Sequence, residues 1–80
     1  MNTAWETTVE DVETVLNAHG LTELDADEVH GNLSHDDIED AALFGDSTEE
    51  QTTYAYQEIE HQLITTLGHL PVGTETKFPS

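Results

Sequence analysis

Electrostatic self-repulsion is the feature that most constrains how this chain can fold. The chain contains eighteen Asp and Glu residues but only one Lys or Arg. That residue, Lys77, lies near the C terminus and is distant in sequence from most of the carboxylates. The formal net charge is −17 over 80 residues, and hydrophobic residues make up only 35% of the chain. Such a composition is also typical of disordered proteins, so a folded domain requires that the few apolar residues be placed efficiently.

The first helix is predicted by a start signal, an apolar stripe and a stop signal. Thr7 and Glu10 have the spacing of a capping box, in which each side chain accepts a hydrogen bond from the backbone N–H of the other residue. Gly20 is predicted to end the helix, because glycine readily adopts the left-handed backbone conformation that often follows a helix C terminus. The apolar stripe between these signals recurs at helical spacing and consists of Trp5, Val9, Val12, Val15 and Leu16.

Three more helices begin at similar signals. Asp25 is predicted to cap a short second helix, and Ser34 is predicted to cap a third helix that ends at Gly45. Ser47, with Glu50 three residues later, is predicted to cap the longest helix, over residues 48–67. The inner stripe of this fourth helix is predicted to contain Ala55, Ile59, Leu63 and Leu67.

These segments predict an all-α fold, a small bundle of three to four helices with the first and fourth helices as its main layers. The predicted domain covers residues 1–70, and the aperiodic residues 71–80 are predicted to form a mobile C-terminal tail. The chain contains no cysteine, which excludes disulfides and thiolate metal sites. The sequence shows neither a signal peptide nor an apolar run of membrane-spanning length, so a cytoplasmic location is expected.

No arrangement of residues predicts catalysis. Ser34, His35 and Asp36 have the side chains of a hydrolytic triad, but triads are assembled from residues that are distant in sequence, and three consecutive side chains diverge. Glu58 and His61 form an E-x-x-H pair, yet a di-iron bundle needs a second such pair and two further inward carboxylates. The sequence therefore predicts a protein that is not an enzyme and that uses no metal or other cofactor.

The acidic residues recur at helical spacing, which predicts an ordered acidic surface. At about 1.5 Å rise per residue, carboxylates three or four residues apart lie roughly 4.5–6 Å apart along a helix, whereas one DNA strand carries a charge about every 3.4 Å. Two neighbouring acidic helices would therefore approach the charge density of a strand. The residues predicted to bind a partner are Glu6, Glu10, Glu13, Asp36, Asp37, Glu39, Asp40, Glu49, Glu50 and Glu58.

In its size and overall charge the chain resembles the small acidic DNA-mimic proteins of phages and mobile elements, which include anti-restriction proteins and some anti-CRISPR inhibitors. The resemblance implies an inhibitor that occupies the nucleic-acid site of a basic nucleic-acid-binding protein or nuclease. Direct binding to nucleic acid or to an anionic membrane is not expected, because like charges repel. Tyr54 or Phe44, near the acidic surface, is expected to supply the specificity that charge lacks.

Three other interpretations of the same residues stay open. One is an ordinary solvated acidic surface that implies no partner, although protein surfaces normally intersperse both signs of charge. The acidic composition also fits a protein from a halophile, although such proteins commonly keep some Arg and this chain has none. The chain also fits a helical interaction module or small regulator that acts as a homodimer, with two fourth helices completing a core that is small in one copy. Partner binding that survives high salt favours such an apolar contact, whereas binding that salt weakens favours mimicry.

Overall fold

Four α-helices and no strand make up the part of the chain that the computed structural model describes, residues 5–71. The predicted all-α class is therefore confirmed. Most of the predicted tail, residues 72–80, lies outside the described residues. The helices are α1 (Val9–Ala18), α2 (Ala26–Asn32), α3 (His35–Ala42) and α4 (Thr48–Thr65).

The first helix begins one residue later than the sequence predicted. Thr8, not Thr7, is the N-cap: its hydroxyl accepts from the Asp11 backbone N–H at 3.1 Å, and the Asp11 carboxylate accepts from the Thr8 N–H at 3.0 Å. Thr7 is buried, and its carbonyl accepts a hydrogen bond from the His30 ring at 2.9 Å. The backbone at Thr7 is thus engaged in a tertiary contact, and the next threonine starts the helix.

The starts of α2 and α4 are capped by the predicted residues. The Asp25 side chain accepts from the Asp27 backbone N–H at 3.0 Å, and the Ser47 hydroxyl accepts from the Glu50 N–H at 3.2 Å. Each bond satisfies a donor that a helix start leaves without an intrahelical partner. Ser34 is the N-cap of α3 as predicted, but its side chain makes no capping hydrogen bond.

The end of α1 is a Schellman motif centred on Gly20. The Leu21 N–H donates to the Leu16 carbonyl at 2.8 Å, and the Gly20 N–H donates to the Asn17 carbonyl at 3.1 Å. This pattern needs a left-handed residue, and Gly20 has a φ of 73°. The fourth helix ends at Thr65, two residues before the predicted end, and Gly68, with a φ of 70°, follows it.

The fourth helix lies at the centre of the bundle, with α3 and α1 both packed against it and α2 packed against α1. Its most extensive contact is with α3, whereas the sequence predicted α1 and α4 as the main layers of the bundle.

One apolar core joins all four helices. It includes the predicted inner stripe of α4 from Ala55 to Leu63, and these residues are fully buried within a single copy of the chain. Completing the core therefore does not require a second α4. The buried apolar residues are Val12, Val15, Leu16, Val29, Leu33, Ile38, Ala42, Ala55, Ile59 and Leu63. Among the described helices, none has the length and apolar character that crossing a bilayer requires.

Salt is expected to stabilise this fold. Residues 5–71 contain no Lys or Arg, so no lysine or arginine in this range offsets the repulsion between the carboxylates. Raising NaCl from about 0.01 M to about 0.15 M shortens the Debye length from about 30 to about 8 Å and screens that repulsion. We expect the melting temperature, followed by circular dichroism, to rise by at least about 5 °C, which corresponds to roughly 1 kcal/mol. An unchanged melting temperature would mean that the repulsion is negligible.

Candidate partner-binding surface

Glu6, Glu10 and Glu13 have the i, i+4, i+7 spacing that predicts one acidic line along a helix, but only two of them lie on α1. Glu10 and Glu13 are exposed on α1, one turn apart. Glu6 is also exposed, but it precedes Thr8, at which the helix is capped. The predicted i, i+4, i+7 line is therefore shortened, because the first helix starts later than the sequence indicated.

Three exposed carboxylates lie close together in sequence on α3. Asp36, Asp37 and Asp40, referred to below as the α3 carboxylates, are all exposed, and Glu39 is partly buried. Asp36 and Asp37 lie in the first turn, where the positive end of the helix dipole stabilises an anion. Asp40 lies beyond that turn, so the helix end does not account for its presence.

A buried glutamine joins the start of α3 to α4. The Gln62 side-chain oxygen accepts from the Ser34 backbone N–H at 2.7 Å, and the Gln62 amide donates to the Ser34 carbonyl at 3.1 Å. The same amide donates to the Glu58 carboxylate at 3.1 Å. These hydrogen bonds, called the Gln62 clamp below, have one signal in the sequence: Gln62 lies three residues after Ile59 on the buried side of α4, where a polar residue needs partners.

The carboxylates predicted on α4 have three different environments. Glu49 is exposed in the first turn. Glu50 is exposed too, but its carboxylate accepts from the Asp46 backbone N–H at 2.8 Å and so helps to hold the helix start. Glu58 is partly buried, and its carboxylate is oriented by Gln62.

Glu60, a further carboxylate of α4, is buried. Only 4% of the residue is exposed, and its carboxylate lies 2.5 Å from the His19 ring nitrogen Nε2. The two side chains connect the end of α1 to the middle of α4. Because they are 41 positions apart, no local sequence pattern could have paired them.

Two aromatic residues and Glu58 line a groove between α3 and α4. Phe44, 82% exposed, follows the end of α3, and Tyr54 lies on the facing side of α4. The groove has a volume of about 230 Å³. Its lining residues, which define the α3–α4 groove below, are Ala41, Phe44, Tyr54, Gln57 and Glu58. The sequence indicated Phe44 or Tyr54 as a source of specificity, and in the structure both residues line the same groove.

Two other histidines make structural contacts. The His30 Nε2 lies 2.9 Å from the Thr7 carbonyl, and the His35 Nε2 lies 2.7 Å from the His30 carbonyl. A carbonyl oxygen only accepts, so each Nε2 must carry the proton. The two rings meet edge to face with centroids 4.4 Å apart. Across residues 5–71, no group of three or more His, Cys, Asp and Glu side chains is placed to hold a metal ion.

High pH is expected to destabilise the protein through Tyr56. Burial of the phenol and the nearby Asp11 carboxylate raise the pKa of Tyr56 above its usual value of 10.0. The folded state therefore holds the phenolic proton more tightly than the unfolded state, and stability falls as pH rises past 10. Urea unfolding from about pH 8 to about pH 11 should show this fall in wild type and a smaller one in Tyr56→Phe. A Tyr54→Phe control keeps the Tyr56 phenol and should match wild type.

The exposed residues of the predicted partner-binding set lie on α1, α3 and α4, and Glu6 precedes α1. Within the described chain, α1 and α3 each pack against α4 and make no packing contact with each other. Two of the α3 carboxylates, Asp37 and Asp40, adjoin the α3–α4 groove, because they lie one turn before the groove residues Ala41 and Phe44. Comparison of the chain with models of protein families, with curated proteins and with solved structures found no match.

Proposed function

We propose that this protein binds a basic, nucleic-acid-binding protein, such as a nuclease, and blocks it by taking the place of DNA or RNA. The observation that carries the proposal is the position of the α3 carboxylates beside the highly exposed Phe44. The carboxylates offer charge, and the aromatic ring offers apolar contact at the same surface. Binding through such a surface releases counterions and is weakened steeply by salt.

The Gln62 clamp supports this use of α3. A phosphate mimic must hold its charges in place before it meets its partner, because ordering flexible side chains or loops on binding lowers affinity. Ser34 is joined to Gln62 at the start of α3, so the backbone that carries Asp36 and Asp37 is tied to the central helix. Among residues 5–71, the exposed large hydrophobic residues, Leu43 and Phe44, directly follow α3.

Capture from a lysate of the source cells tests the proposal. Immobilised wild-type protein would be loaded at low salt and eluted either by a salt gradient or by a short DNA duplex. We expect a basic nucleic-acid-binding protein to be released by the duplex and early in the salt gradient. Release of only acidic or neutral proteins, at high salt and not by DNA, would contradict the proposal.

Two variants with equal charge changes identify the surface. The α3 variant carries Asp36→Asn, Asp37→Asn and Asp40→Asn, and the α1 control carries Glu6→Gln, Glu10→Gln and Glu13→Gln. Each has three fewer carboxylates, which changes the formal charge from −17 to −14. We expect the α3 variant to lose at least about tenfold in affinity at low salt and the α1 control to lose much less. Equal losses would mean that only net charge matters.

The second candidate function is a helical interaction module that acts as a homodimer. Exposed Leu43 and Phe44, 54% and 82% accessible, favour an apolar contact with another protein. Sedimentation velocity at low and high salt separates the candidates, because screening of the like charges would strengthen a homodimer and weaken binding to a basic partner.

A further inference from the structure

The α3–α4 groove has the size of a site for one side chain. Its volume of about 230 Å³ is below the roughly 300–1,000 Å³ of sites that enclose drug-sized ligands. Phe44 and Tyr54 supply aromatic rings from two different elements, and Glu58 supplies a carboxylate. A ligand that fits must therefore combine a face that packs on aromatic rings with a positive charge.

Arginine meets both requirements better than lysine. Its guanidinium is planar, packs on aromatic rings and forms paired hydrogen bonds with a carboxylate, whereas an ammonium is a compact and strongly hydrated charge. The Glu58 carboxylate is held by the Gln62 amide at 3.1 Å, so its orientation is set by a residue that is itself buried. Such support favours a directional contact over a diffuse attraction.

Charge decides what kind of molecule occupies the groove. Asp37 and Asp40 lie one turn before two of its lining residues, and the whole chain carries a formal charge of −17. A second copy of this chain, a nucleic acid or an anionic membrane would meet like charge there. We propose that the α3–α4 groove receives an arginine side chain of the basic partner. This inference rests on the proposed function and specifies how the partner is recognised.

Matched peptides test the inference with the full chain. Capped hexa-arginine and hexa-lysine carry the same charge, and their affinities can be measured by calorimetry at low salt. We expect wild type to prefer hexa-arginine by about three- to tenfold, as expected for a cation packed on aromatic rings. Phe44→Ala and Tyr54→Ala should reduce the preference to less than about twofold. The control Leu43→Ala, which removes an exposed apolar side chain outside the groove lining, should keep it.

The outcomes distinguish the two proposals. Tight, salt-sensitive binding of both peptides with equal affinity would overturn the arginine site and leave the acidic surface intact. An arginine preference that persists in Phe44→Ala and Tyr54→Ala, each shown by circular dichroism to be folded, would also overturn the groove assignment. Failure of both peptides to bind at low salt would overturn the arginine site and the proposed function together.

Discussion

Replacing Gly45 with alanine is expected to lower the free energy of unfolding by about 3 kcal/mol. A Cβ atom at Gly45 would lie 2.5 Å from the Gln51 backbone nitrogen and 2.8 Å from the Glu50 carbonyl carbon. Both are backbone atoms of α4, so no flexible side chain can move aside. The connection between α3 and α4 must then open, and the contact between these helices weakens. For a domain of this size, the melting temperature should fall by roughly 12–24 °C.

Gly31 provides the matched control for this substitution. It lies exposed within α2, and a Cβ atom there would meet nothing within 4 Å. Gly31→Ala should therefore raise stability by about 0.5–1 kcal/mol, because alanine restricts the unfolded chain and favours the helix. If Gly45→Ala instead matched wild type in thermal and urea unfolding, the close approach of the two backbones would be refuted.

Removing the His19 side chain should cost a similar amount, about 3 kcal/mol. The His19 and Glu60 side chains are 3% and 5% exposed and lie 2.5 Å apart. The His19→Ala substitution removes the histidine partner of the buried Glu60 carboxylate, and removing one member of a buried pair is strongly unfavourable. His61 provides the control: it is exposed and lies next to Glu60 on α4, and His61→Ala should change stability by less than about 0.5 kcal/mol.

A double variant tests the cause of this loss. His19→Leu combined with Glu60→Leu removes both polar groups from the buried contact, so it should be more stable than His19→Leu alone. The coupling between the two sites is obtained from urea unfolding of the single and double variants. If the effects of the two substitutions simply added, the pair would not interact as the structure indicates.

Much of the fold could be predicted because its signals are local. Caps such as Asp25 and Ser47 act on backbone groups two or three residues away, and apolar stripes report one buried side of each helix. The environments of Glu60 and Gln62 could not be predicted in this way. The fourth helix is covered by α1 and by α3, so more of its circumference is buried than a single stripe indicates.

The candidate surface was only partly visible in the sequence for the same reason. That the α3 carboxylates are exposed follows from their polarity, and their spacing follows from the helix. The grouping of Phe44, Tyr54 and Glu58 depends on how α3 turns into α4. That turn requires a glycine at position 45, because the backbone there lies close to the Gln51 backbone. This contact forms only when the chain is folded, so the sequence does not reveal it.

Competition with nucleic acid tests the central claim most directly. The basic protein recovered by capture would be purified and bound to a fluorescently labelled duplex. The 80-residue acidic protein would then be added as competitor while the anisotropy of the duplex is followed. We predict that wild type and the α1 control displace the duplex completely at about one equivalent, and that the α3 variant requires at least about tenfold more. Formation of a complex that contains the duplex, the basic protein and this protein together would contradict mimicry.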